Sequence, residues 1–179
     1  MLALLLGCAG SAKHATVVKP MTPEQTKAFD RGVDFVATLE GLEGRWRNDW
    51  DSDLQVRVGN ATLIAAVTVT TTRVDTDPSQ RVTYRLVAHV DRELVGSDAD
   101  KELELPSAPN DPGYTSVQDN IARMADKQYL AYVRQAADGL YWHLSPVSPE
   151  VTAETESQIT RMNRAPQQGG VDRVIVHNN

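Results

Sequence analysis

The chain has 179 residues, 41% of them hydrophobic and 23% charged, with a net charge of −6 and one cysteine. This is length enough for about one domain with its own core, and the acidic balance, with no Lys/Arg cluster, excludes a nucleic-acid surface and disfavours anionic headgroups. A single cysteine excludes an internal disulfide framework, a CxxC redox pair and a multi-cysteine zinc site, and no apolar run approaches the ~20 residues of a membrane-spanning helix.

Residues 2–7, LALLLG, are apolar and uncharged, and Cys8 is followed by the small residues Ala9, Gly10, Ser11 and Ala12. A secretory leader joins a basic start to an apolar segment and a small-residue cleavage site; here the basic start is missing. Leu5-Leu6-Gly7-Cys8 resembles the bacterial lipobox, in which the cysteine is acylated and the residues before it are removed. The resemblance implies a signal-peptide remnant at 1–7, lipidation at Cys8, and a longer basic leader upstream of Met1. With Ala9 rather than Asp after the cysteine, it further implies sorting to the outer membrane of a Gram-negative envelope. Acyl chains contribute ~0.8 kcal/mol per buried CH₂, so several of them hold a protein firmly on a bilayer. Residues 9–21, AGSAKHATVVKPM, then read as a tether reaching at most ~45 Å, so that 8–21 is anchor and tether and 22–179 a single globular domain.

Thr22-Pro23-Glu24-Gln25 places a hydroxyl at N-cap, Pro at N1 and Gln at N3, a helix start. Phe29, Val33 and Val36 continue it at helical spacing, which predicts a helix over 22–41, ending near Gly41 or Gly44. From Asp53 the period changes to two. The Val/Ile/Thr-rich run 61–74 and the alternating run 81–95 predict a long antiparallel hairpin around the turn cluster 75–80. A shorter strand follows at 101–105, the Pro-rich stretch 106–114 is a loop, and Val117, Ile121 and Met124 mark a short helix over about 115–126. Strands at 128–135 and 140–145 flank Asp138-Gly139, a hairpin turn. Ser148-Pro149-Glu150 opens a helix to about 164, and 171–177 reads as a closing strand.

The order from residue 61 is strand, strand, strand, short helix, strand, strand, helix, which is that of the OB-fold, a small five-stranded Greek-key barrel. The expected class is therefore mainly β (α+β): a small antiparallel OB-like barrel over about 53–146, flanked by N-terminal and C-terminal helices. Tyr84-Arg85-Leu86-Val87-Ala88-His89-Val90, Leu94-Val95-Gly96, Leu103-Glu104-Leu105 and Tyr129-Leu130-Ala131-Tyr132-Val133 resemble netrin/TIMP-like OB domains, whose defining cysteines are absent here. Two other folds compete. Gly44-Arg45-Trp46 resembles the lipocalin G-x-W start, and a long helix ahead of a curved sheet resembles a cystatin- or NTF2-like roll.

Candidate sites are few. Asp49, Asp51 and Asp53 stand at calcium-loop positions 1, 3 and 5, but Leu54 and Asn60 occupy the places of the required Gly and Glu, so an acidic solvated strand edge is expected. His14, His89, His143 and His177 show no zinc spacing, and His143 is expected to face outward on its strand. Ser145 and Ser148 lie in LSPVSPE with no nucleophile elbow, and Glu102/Glu104 read as solvent-facing alternation. No cofactor is implied. On 128–135 both alternating faces are apolar, so one of them meets a helix or a partner; Tyr132 and Trp142 are the candidate partner surface. The expectation is a non-catalytic protein-interaction or scaffolding domain in the bacterial cell envelope, held to the outer membrane through Cys8, with an envelope protein partner and no nucleic acid. The alternative is a small-molecule- or lipid-binding barrel.

Overall fold

The computed structural model describes residues 20–96 and 101–164; Cys8, the tether up to residue 19, His14, His177 and the expected strand 171–177 lie outside them. Eleven elements follow in order: α1 (Pro23–Ala28), β1 (Gly32–Val33), α2 (Gly44–Asn60), β2 (Leu63–Thr76), β3 (Val82–Val95), β4 (Glu102–Ser107), α3 (Tyr114–Gln118), α4 (Ile121–Met124), β5 (Gln128–Ala136), β6 (Gly139–Pro146) and α5 (Pro149–Arg164). The strands form one curled, half-barrel sheet in the order β1-β6-β5-β2-β3-β4. Taken alone, β6-β5-β2-β3-β4 is the OB strand order opened between its third and fifth strands. All its pairs are antiparallel, while β1 adds to β6 in parallel, making the sheet mixed.

Alternation in β5 sends its two apolar faces to two cores. Tyr129, Ala131 and Val133 join Val67, Leu86, Leu105, Trp142 and Leu144 inside the curl, under Val117 and Met124 of the short helices. Leu130 and Tyr132 join Ile64 on the outer face, beneath Ala28, Trp50, Leu54, Val58 and Val151 from α1, α2 and α5. Each fully buried large side chain contributes about 1.5–3 kcal/mol, so both layers are needed.

The gap between β6 and β4 is closed by side chains rather than by a ladder. Trp142 Nε1 donates to the Pro106 carbonyl at 2.8 Å. Arg31 donates from Nε to the Leu140 carbonyl and pairs through Nη1 with Asp111 at 2.8 Å. Beside them Gly113 N–H donates to the Asp30 carbonyl. A Cβ on Gly113 would sit 2.4 Å from Gly32 Cα, so two backbones touch here. Gly113→Ala is expected to lower stability by about 2–3 kcal/mol through this overpacking, read as a drop in the urea midpoint with unchanged m-value.

The N-terminal half departs from its sequence pattern. The capping box at Thr22 forms, with Gln25 as its partner, but the helix ends at Ala28 instead of running to residue 41. Asp30 accepts from Gly32 N–H at 3.0 Å and Arg31 adopts φ 56°, which turns the chain into β1. The residues expected to begin a strand at Asp53 are instead the second half of α2. Arg45–Asp49 and Arg47–Asp51 pair one turn apart on it, and Trp50, Leu54 and Val58 form its buried stripe. Gly44-Arg45-Trp46 is therefore a helix start, with Trp46 76% exposed, and not the lipocalin strand.

Candidate functional site

Tyr132 and Trp142 cannot be a partner surface, because both side chains are completely buried. The apolar outer face of β5 meets helices, and Trp142 faces the interior of the curl. Asp49 and Asp51 are held by arginines of α2 and Asp53 by Lys27. Among the described residues, no group of three or more His, Cys, Asp or Glu is placed to hold a metal, and no helix is long and apolar enough to cross a membrane.

His143 departs furthest from expectation. Its ring is buried rather than outward-facing, because it shares the helix-covered face of the sheet with Tyr132, and Asp30 and Asp34 flank the β1 strand paired beside it. Nδ1 stands 2.8 Å from Asp30 Oδ1 and Nε2 3.1 Å from Asp34 Oδ2. Ser145 Oγ donates to the same Asp34 oxygen at 2.8 Å, and Arg57 Nη1 lies 3.5 Å from it. Arg57 comes from α2, where its Nε donates to the Ala28 carbonyl. Tyr132 Oη and Thr155 Oγ1, 2.7 Å apart, tie α5 to the sheet nearby.

Burial, the largest influence on His143, and the Arg57 charge push its pKa down, but the hydrogen bonds and charges of Asp30 and Asp34 outweigh them and raise it. Burial raises Asp34, yet the hydrogen bond and charge of His143, with Arg57 and Ser145, hold it below the usual carboxylate range. Burial lifts the Tyr132 phenol to about 12. The raised pKa favours the imidazolium, the form that can donate from both nitrogens to the two carboxylates. Serine, histidine and aspartate meet here, but in the wrong order for nucleophilic catalysis. Ser145 bonds to Asp34, not to His143, and each ring nitrogen faces a carboxylate, so neither is placed to take the serine proton.

The second feature is open to solvent. A groove of roughly 710 Å³ runs between Phe35, Met124, Tyr129, Pro146 and Val147, with Arg123 and Lys127 on its bank. Phe35 is 56% and Val147 40% exposed, so two of its walls are apolar surface that no described element covers. In the sequence Phe35 reads only as packing, on a second apolar stripe with Leu39 and Leu42 of the expected helix that the β1 turn breaks, and Val147 is one isolated apolar residue between prolines. Comparison with protein-family models, with curated proteins and with solved structures found no match.

Proposed function

We propose that this chain is a lipid-anchored cell-envelope protein whose single domain is a non-catalytic protein-interaction module, tethered through Cys8 to the outer membrane. The observation that carries the interaction reading is the groove walled by exposed Phe35 and Val147 on a half-barrel whose interior is filled. An apolar recess flanked by exposed large side chains is how a surface offers buried area to a partner. The interior is occupied by Trp142, Leu86, Leu105, Met124 and Tyr129, which favours a partner on the outside over a ligand within. The anchor rests on the lipobox resemblance and the single cysteine.

In a Gram-negative host, the wild-type chain is expected to incorporate labelled palmitate and to fractionate with the outer membrane. Cys8→Ser is expected to lose the label and move to the soluble fraction. A wild type that is soluble and unlabelled would sink the anchor. Photo-crosslinking residues placed singly at Phe35 and at Trp46 test the interaction reading in the same cells. Adducts at either position support a partner; none at either contradicts it.

A further inference from the structure

The two flanks of the sheet core are defended differently. β4 carries Glu102, Glu104 and Pro106, and its Pro106 carbonyl is capped by Trp142; charge and Pro are what natural proteins place on a strand edge to prevent pairing. β2 is different. It pairs with β5 only from Leu63 to Thr68, and Val69 makes the last contacts on that side, with Lys127 and Asp126. From there β2 runs on to Thr76 with β3 on one flank and, among the described residues, no strand on the other.

This open edge, TTTRVDT over 70–76, contains no Pro, carries one charge of each sign at Arg73 and Asp75, and is rich in β-branched residues. It is exposed except at half-buried Thr72, and Val74 is 58% exposed. At its base lies the groove, lined there by Thr68, Lys127 and Gln128. Arg123, Lys127 and Arg73 form no ion pair with any described carboxylate, although the chain carries a net charge of −6. Asp75, the other charge on the edge, is already held by Arg85. The charges without an ion pair along the edge and groove are Arg73, Arg123 and Lys127 against Asp126, which lines the groove, and Asp91, which accepts from Thr68 at its base, so the cations outnumber the carboxylates.

We propose that the β2 edge over 70–76, together with the groove at its base, docks an extended acidic segment of a partner protein by strand addition. Main-chain hydrogen bonds to β2 would continue the ladder where β5 stops, while an apolar side chain enters the groove between Phe35 and Val147 and carboxylates meet Arg73, Arg123 and Lys127. The proposal rests on the interaction reading and names the chemistry of the partner.

The test uses the full chain and two eight-residue probe peptides, one alternating Glu with Val and Leu, the other carrying Lys in place of Glu. Hydrogen exchange locates the contact and fluorescence anisotropy measures it. The expected result is slowed exchange of the 70–76 amides on adding the Glu peptide, with at least tenfold weaker binding of the Lys peptide. Arg123→Glu combined with Lys127→Glu, both exposed, one on the short helix α4 and the other in the link that follows it, is expected to reverse that preference. Phe35→Ala should weaken both peptides without altering the preference. Equal binding of the two peptides, no binding, or protection elsewhere overturns the proposal. So does protection of 70–76 before any peptide is added, which would mean that another part of this chain or a second copy covers the edge. Failure here, with crosslinks from Trp46 in cells, leaves an interaction module that uses another face; the absence of all crosslinks removes the interaction reading itself.

Discussion

Trp142→Ala is expected to lower stability by about 3–5 kcal/mol, the range for deleting a large aromatic from a packed core. The side chain is fully buried, and it also joins strands that no ladder connects, donating to the Pro106 carbonyl across the gap between β6 and β4. Alanine therefore leaves a cavity and a carbonyl without its donor. Trp142→Phe separates the two effects. It keeps most of the volume and loses the indole N–H, so it should cost about 1–2 kcal/mol for the orphaned acceptor. Urea unfolding followed by circular dichroism measures both. A loss below 1 kcal/mol for the alanine variant would mean that the gap is held by the Arg31 and Gly113 contacts alone.

The second large effect concerns the buried charges. Asp34→Asn is close to isosteric but leaves His143 and Arg57 with one carboxylate fewer in a buried site, a change expected to cost about 3 kcal/mol, as for breaking a buried ion pair. The same cluster sets a pH profile. His143 has its folded pKa raised above 6.5, so the stability it contributes is fully present below that value and fades as pH rises through the folded pKa. Asp34 has its folded pKa lowered below 3.8, so its contribution is present above that value and fades as pH falls through the folded pKa. Together they give a plateau between about pH 4 and 6.5, with losses on both sides. His143→Gln should flatten the alkaline limb. If the alkaline limb is unchanged in that variant, the imidazolium is not its source. The Asp34→Asn, His143→Gln double-mutant cycle then gives the coupling between the two.

The β-rich half was legible residue by residue. Alternation in 81–95 and 128–135, the hairpin signalled by Asp138-Gly139 and the Pro149 helix start each depend on near neighbours in the chain, and each formed, with the hairpin loop at Ala137-Asp138 and Gly139 already paired to Ala136. The double apolar face of 128–135 correctly required cover on both sides. It did not say whether that cover was a partner or the protein's own helices, and only the placement of α2 and α5 decided against Tyr132 as surface. The stretch 44–60 misled because Leu54, Val56 and Val58 satisfy period two, while Trp50, Leu54 and Val58 satisfy the helical period equally well. The spaced pairs Arg45–Asp49 and Arg47–Asp51 were the signal that favoured the helix.

The candidate site was much less legible. His143 lies in an alternating strand next to Trp142, and nothing local shows that Asp30 and Asp34, more than 100 residues earlier, will cover it. The open edge of β2 is equally invisible, since a strand's periodicity records its two faces and not its two flanks.

What the sequence by itself determined is the succession of β2 to β6 along the chain, the alternation within them, their hairpins, the helix start at Thr22 and the single cysteine at Cys8. These follow from short-range sterics and from the periods at which apolar residues recur. The tertiary structure alone decided that the helix would stop at Ala28, that His143 would be enclosed by two carboxylates, and that β2 would outrun β5 to leave an edge open. Those outcomes depend on which segments meet across the fold, as Gly32 meets Gly113, and residues so far apart in the chain leave no local pattern.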